Sequence, residues 1–295
     1  MKIYLECIPC HIRSAINSAT LLTDNSEKID RTITEVLLKA SDFKSYKNLF
    51  EIYYDIQAIV RKNIPDGDPY KQFKIEFNEI CLSAETELKG RIENSNNWFD
   101  TAIRICLAGN SIDVMQGKKM TRKTLLCAID SAVFQSIDSG NVRKLKTEIE
   151  KASNILFIGD NAGEIVFDKI LIEFLNRNLN KEGKIIYAVR GGPTLNDSTM
   201  EDAIMVGMDK VAEVITTGID MPVAYFPKCS KHFVSIYNKA DLVISKGQGN
   251  LEALLEEDKN IFFLLKIKCD VIAKFLDGKH SVDEIAIIKG SKYKK

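Results

Sequence analysis

The hydrophobic rhythm of the chain changes about half way along. Up to residue 137 apolar positions recur at helical spacing, over 27–42, 47–63, 69–90, 97–108 and 121–137. Segment 47–63 shows the pattern well, with Leu49, Phe50, Tyr53, Ile56, Ile59 and Val60 on one face. Upstream, Ile12, Ala15, Ile16, Ala19 and Leu22 mark a first helix. The run from Ile64 to Pro69 breaks the chain, with Asp68 placed as an N-cap and Pro69 at the first helical position. Helix 97–108 turns Trp98, Ala102, Ile103, Cys106 and Leu107 inward and stops at Gly109 and Asn110. Asn110 and Asp113 lie just past it, as turn residues or as groups that reach a site.

From Ser139 and Gly140 onward, short apolar runs alternate with helical patterns. Strands are expected at 154–159, 184–189, 213–217, 241–246 and 260–267. Helices are expected at about 163–179, 199–208, 229–239, 250–257 and 269–278. Such alternation implies right-handed crossovers and a mostly parallel sheet. The fold class expected is therefore α/β, with an all-helical region over residues 1–140 and an α/β domain over 141–295.

The stretch from Asn154 to Glu164 organises that second half. Asn154-Ile-Leu-Phe-Ile158 is apolar on both faces, as a buried parallel strand is, and it runs into Gly159-Asp-Asn-Ala-Gly163 and then a helix. Asp160 and Asn161 thus stand at a strand's carboxyl end, where open α/β sheets bind ligands. A carboxylate beside a carboxamide offers hard oxygens to Mg²⁺ or Mn²⁺; the plainer reading is a helix cap.

The other strands end alike. Arg190-Gly-Gly-Pro-Thr-Leu-Asn-Asp197 follows the second, Thr216-Thr-Gly218 the third, Ser245-Lys-Gly-Gln-Gly-Asn250 the fourth and Lys268-Cys269 the fifth. In a parallel sheet these ends share one edge, so the polar groups converge. Asp160, Asn161 and Asp197 form an oxygen set for one divalent cation, with Mg²⁺, Mn²⁺, Co²⁺ and Ni²⁺ left open. Arg190 and Lys246 suit phosphate oxygens, and Gly247 with Gly249 leaves backbone N–H groups facing an anion at a helix start. Cation, basic side chains and N–H donors together make a set for phosphoryl transfer or phosphate hydrolysis. The general base stays open among Asp160, Glu164, Asp197 and Asp113. Gly159-Asp-Asn-Ala-Gly163 is not a dinucleotide fingerprint, and Lys246 precedes its glycines, so this is not a Walker A loop either. His11, His232 and His280 lie outside the constellation.

Composition narrows the classes further. The 295 residues are 45% hydrophobic and 28% charged, enough for one large or two modest domains. Lys plus Arg and Asp plus Glu each number 41, which gives no basic field for nucleic acid. No run has the apolar length of a membrane span, and Met1 to Cys7 lacks a signal peptide's apolar core, so a cytoplasmic location with reduced thiols is expected.

Seven scattered cysteines argue against a disulfide framework. Cys7-Ile-Pro-Cys10-His11 has the c-type haem attachment pattern, but that chemistry normally requires export. A redox pair would sit near a βαβ pattern, whereas the flanks here are helical. A zinc site would need two more ligands. Buried, apolar-like thiols on a first helix are favoured over any one chemical role.

These segments resemble the damage-control phosphatases once catalogued as domain of unknown function 89. The likeness is carried by Gly159-Asp-Asn-Ala-Gly-Glu164, Arg190-Gly-Gly-Pro-Thr-Leu-Asn-Asp197, Asp241 through Glu252, and Ala108-Gly-Asn-Ser-Ile-Asp113. Cys7-x-x-Cys10 and Lys268-Cys269 resemble the archaeal and bacterial branch. The resemblance spans nearly the whole chain. It implies a helical region over a Rossmann-like three-layer domain and a divalent metal on Asp160, Asn161 and Asp197. It also implies Lys246 on the substrate phosphate, and hydrolysis of small phosphometabolites such as sugar phosphates or damaged intermediates. Val223 departs from the family, where Gly tends to follow the proline of this loop. Two other readings stand beside it: an S-adenosylmethionine-dependent carboxyl methyltransferase, and a thiol- or metal-binding role centred on Cys7 and Cys10. The expected partner is a small phosphorylated molecule, with no nucleic acid or membrane, and oligomeric state is open.

Overall fold

The structure is a computed structural model that describes residues 2–65, 67–111, 120–178 and 183–290. The chain divides into two compact units, Met1–Gln72 and Phe73–Lys295. The first holds α1 (Cys7–Leu22), α2 (Ser26–Ser41) and α3 (Leu49–Asn63). Asn25 and Asn48 cap α2 and α3 by accepting backbone N–H groups of the first turn. The inward stripes meet in a small core of Ala15, Val36, Ala40, Ile52, Ile56 and Val60. Cys7 opens α1 half-buried, and Cys10 is exposed, so neither is the buried apolar thiol expected.

The second unit contains nearly all of α4 (Lys71–Glu93), then α5 (Trp98–Ser111), α6 (Arg122–Val133) and α7 (Ser139–Lys151). These helices belong to the same compact unit as the sheet. Next come β1 (Asn154–Ile158), α8 (Glu164–Asn178), β2 (Lys184–Val189), α9 (Met200–Val206), β3 (Glu213–Thr216) and α10 (Lys231–Lys239). The last elements are β4 (Leu242–Lys246), α11 (Gln248–Leu254), β5 (Ile261–Lys266), α12 (Asp270–Phe275) and β6 (Ile285–Lys289). All five expected strands are present, and their order is β3-β2-β1-β4-β5-β6. Every pairing is parallel except that of β6 with β5.

Two elements were not anticipated. The stretch 139–151 is mostly polar, yet Val142, Leu145 and Ile149 give α7 an inward stripe. Strand β6 follows the last expected helix and covers the edge of β5 that would otherwise carry unpaired N–H and C=O groups.

The strand order reverses between β1 and β4. Right-handed crossovers then send α8 and α9 to one face of the sheet and α10 and α11 to the other. Helix α5 packs against α8 and reaches β5 and β6. The core fills with Phe157, Phe167, Tyr187, Phe262 and their neighbours. A crevice at the carboxyl ends of β1 and β4 is the outcome that matters for function, because neighbouring chain segments leave in opposite directions there.

Candidate active site

Residue 160 leaves the end of β1, and 246 ends β4, so the sheet alone brings these two segments together. Their contact is close. Gly247 has φ +81°, and a Cβ built on it would collide with the Asp160 carboxylate. Only glycine meets both demands.

The loop after β2 folds back over the loop after β1. Asn161 and Asp197 form an isolated antiparallel bridge. Ser198 donates its backbone N–H (2.8 Å) and its hydroxyl (3.0 Å) to the Asp160 carbonyl. Asp160, Asn161 and Asp197 are thereby gathered on one spot. Arg190, 1% exposed, pairs with both aspartates. Its Nε donates to Asp197 Oδ1 at 2.7 Å, and one terminal nitrogen lies 3.4 Å from Asp160 Oδ1. That nitrogen also donates to the Pro222 carbonyl at 2.9 Å, and the other terminal nitrogen to Asn250 Oδ1 at 3.3 Å. Asn250 in turn donates to the carbonyls of Gly159 and Lys246, tying the two strand ends to one side chain.

A second layer lies against α8. Glu164 accepts from the Asn161 amide (2.7 Å) and the Asn110 amide (2.9 Å). Asn110 also reaches Asp160 Oδ2 at 3.3 Å and accepts from the Lys266 N–H at 2.7 Å. Lys246 is wholly buried. Its ammonium donates to Asp168 Oδ1 (2.8 Å) and the Cys106 carbonyl (3.0 Å), and Glu164 Oε2 lies 3.6 Å away. Tyr187 and Cys106 also donate to Asp168. Burial pulls the Lys246 pKa down, but the charges of Asp168 and Glu164 outweigh it and raise the value overall, so this lysine stays charged.

Of the residues expected from the sequence, Asp160, Asn161, Asp197, Arg190, Glu164, Asn110, Lys246 and Gly247 are joined in this one network. Asp113 lies outside the described residues. Arg190 and Lys246 both already rest on carboxylates. Asp168, Asn250 and Tyr187 are members that sequence reasoning passed over. Asp168 follows Glu164 by one helical turn, and Asn250 ends the Lys246-Gly-Gln-Gly run, so spacing carried a signal for both.

The electrostatics bear on cation binding. Burial, and then the Asp197 and Glu164 charges, push the Asp160 pKa up to about 7, while Arg190 and Lys268 act against them. Burial likewise raises Asp197, with Arg190 opposing. No group of three or more His, Cys, Asp or Glu side chains among the described residues is placed to hold a metal by itself. A cation here would draw on Asp160, Asp197 and the Asn161 amide oxygen, a hard-oxygen donor set that fits Mg²⁺ or Mn²⁺ with water or substrate oxygens completing the shell.

The fold class is a doubly wound α/β sheet with an acid–amide cluster at its switch point, the place where such sheets bind ligands. Residues 3–282 match the family described as the damage-control phosphatase ARMT1-like domain, and the chain belongs to that family. An uncharacterized protein of Methanocaldococcus jannaschii is 32% identical over 288 residues, covering 93% of this chain and 91% of its own. A damage-control phosphatase of Pyrococcus horikoshii is 30% identical over 278 residues, covering 94% of each chain. One from Archaeoglobus fulgidus is 28% identical over 278 residues, covering 93% of this chain and 95% of its own. The crystal structure of a DUF89 family protein from Pyrococcus horikoshii superposes with a TM-score of 0.87 at 27% identity, over 98% of this chain and 99% of that one. No helix of the described residues is long and apolar enough to cross a membrane.

Proposed function

We propose that the chain hydrolyses phosphate esters of small metabolites in a reaction that depends on a divalent cation. The observation that carries this reading is the pairing of Asp160 and Asp197 with Arg190 where the sheet order reverses, with Asn161 bridged to Asp197 and bonded to Asp160. Two full-length relatives named damage-control phosphatases support the reaction class.

Asp160, Asp197 and the Asn161 amide oxygen would hold the cation. Bound there, it would polarise the phosphoryl group and ease deprotonation of a water. Arg190 holds the two aspartates at fixed spacing and offsets charge developing on phosphoryl oxygens. Lys246 adds a buried positive charge behind Glu164. A carboxylate of the cluster takes the proton of the attacking water and returns it to the departing alkoxide, so one P–O bond forms as the other breaks. Sugar phosphates and damaged phosphorylated intermediates are the substrate class this reading favours. Methyl transfer is not favoured, since two relatives aligned over nearly their whole length carry phosphatase names.

The test is phosphate release from a panel of phosphometabolites by cation-stripped protein, with Mg²⁺, Mn²⁺, Co²⁺ or Ni²⁺ added back singly. Cation-dependent release that Asp160→Ala abolishes in a folded protein is expected. Release that survives Asp160→Ala with Mn²⁺ present would remove that residue from the cation set.

A further inference from the structure

Helix α4 carries two buried polar residues, Lys74 and Asn78, that the proposed reaction does not use. Asn78 is fully buried, so its amide must be satisfied within the fold. Its Oδ1 accepts the Gly163 N–H at 2.6 Å, inside the loop that presents Asp160 and Asn161. The same amide's nitrogen donates to Asp202 Oδ1 at 2.9 Å. The other oxygen of Asp202 receives Lys74 Nζ at 3.2 Å and the Thr199 N–H and hydroxyl at 2.9 and 2.8 Å. Thr199 is two residues past Asp197, and Ser198 between them donates to the Asp160 carbonyl. Asn78 and Asp202 therefore join the loop after β1 to the loop after β2 from beneath.

Gly163 has φ +76°, and a Cβ on it would strike the Phe77 ring, so α4 presses directly on this turn. A glycine turn is soft by nature. Here a ring and an amide from one helix fix it.

We propose that Asn78 and Asp202 act as a clamp that sets the distance between Asp160 with Asn161 on one loop and Asp197 on the other, and hence the affinity of the site for a divalent cation. The inference rests on the cation reading above. Both are positioning residues: neither carries an oxygen of the proposed donor set. Lys74 holds Asp202 in place through a buried ion pair at 3.2 Å.

The experiment is Mn²⁺ binding to the full chain, followed by the fall in the free-ion electron paramagnetic resonance signal, with no turnover involved. Wild type is expected to bind saturably, and Asp160→Ala to remove that binding. Asn78→Ala deletes both bonds without adding charge and is expected to weaken Mn²⁺ by about 10–100-fold, the usual effect of losing a group that orients ligands. Asn78→Asp sets two carboxylates against each other and is expected to weaken it as much. The swap Asn78→Asp with Asp202→Asn restores one carboxylate and one amide, so the bond between 78 and 202 and the acceptors for Gly163, Lys74 and Thr199 are again matched, and only the weak contact to the Met205 sulfur is lost. It is expected to bring affinity back to near wild type. A merely structural role would lower the melting temperature and leave the Mn²⁺ affinity of the folded variants unchanged; that result overturns the clamp. A folded swap no better than Asn78→Asp alone overturns it as well. Wild type with no saturable binding removes the cation reading, and the clamp with it.

Discussion

Gly247 and Asp160 are packed so tightly that residue 247 has no room for a β-carbon. The contact joins the ends of the two strands where the sheet order reverses, which makes it the tightest geometric constraint on the candidate active site. Gly247 also holds φ +81° and ψ 156°, a conformation reached by little other than glycine.

Gly247→Ala should therefore push the Asp160 carboxylate off Arg190 and out of the donor set. Mn²⁺ affinity and phosphate release should fall together by tenfold or more. Isothermal titration and a phosphate assay on the same preparation check this. Unchanged Mn²⁺ affinity in the variant would show that Asp160 does not need its present position.

Lys246 and Asp168 form an ion pair with no exposed surface on either side chain. Lys246→Met leaves a buried carboxylate without its cation and should cost about 3–5 kcal/mol. Lys246→Met combined with Asp168→Asn keeps an acceptor for Tyr187 and removes the stranded charge, so it should recover most of that stability. Urea unfolding of the three proteins decides it. A double variant as unstable as the single would mean that packing, not charge, dominates there.

Asp160 gives the cation-free protein a definite pH response. Its folded pKa, about 7, lies above the ordinary 3.8, so over that interval the folded state holds a proton the unfolded chain has lost. Folding stability should thus decline as pH rises from about 4 to about 7, and Asp197 contributes in the same direction. Asp160→Asn should flatten the decline, and saturating Mn²⁺ should reverse it. Thermal melts at stepped pH, with chelator or with Mn²⁺, read this out. A rise in stability across the interval in chelator would contradict the assignment.

The N-terminal unit should respond in the opposite sense. His11 sits edge-on to Tyr53, and its buried Nε2 has no hydrogen-bond partner among the described residues. Burial lowers its pKa from 6.5 to about 4, so between those values the unfolded chain binds the extra proton and stability is lost as pH falls. His11→Phe should abolish that acid sensitivity without loss of stability at neutral pH. Amide exchange of α1 and α3 at pH 5 and pH 7.5 is the measurement. Equal acid lability in the variant would place the sensitive group elsewhere.

Much of the fold was legible because apolar runs of strand length, each ending in glycine and polar residues, mark buried parallel strands without help from tertiary context. The ligand-bearing ends of β1, β2 and β4 were found for the same reason. Helix α7 and strand β6 were less visible. The first carries only three inward apolar residues, and the second is an antiparallel edge that breaks the alternation. Asn78 and Asp202 could not be seen at all. They stand 124 positions apart, and each reads locally as a polar residue on a helix. Lys246 looked like a phosphate contact by type, whereas its depth beneath Glu164 depends on how α5 and α8 pack.

The placement of β1 at the middle of the sheet has a consequence for how the protein comes into being. Asn250 and Gly159, which lock the two strand ends together, are 91 positions apart, and Asn110 and Glu164 are 54 apart. Closing such distant contacts is slow, because chain entropy must be surrendered before any contact rewards it. The buried pairs of Lys246 with Asp168 and Glu164 form only once β4 has docked on β1. A chain caught before that stage can hold Asp160, Asn161 and Asp197 together on the β1 and β2 loops, but it lacks the buried Lys246 charge behind Glu164 and the Asn250 tie between the strand ends.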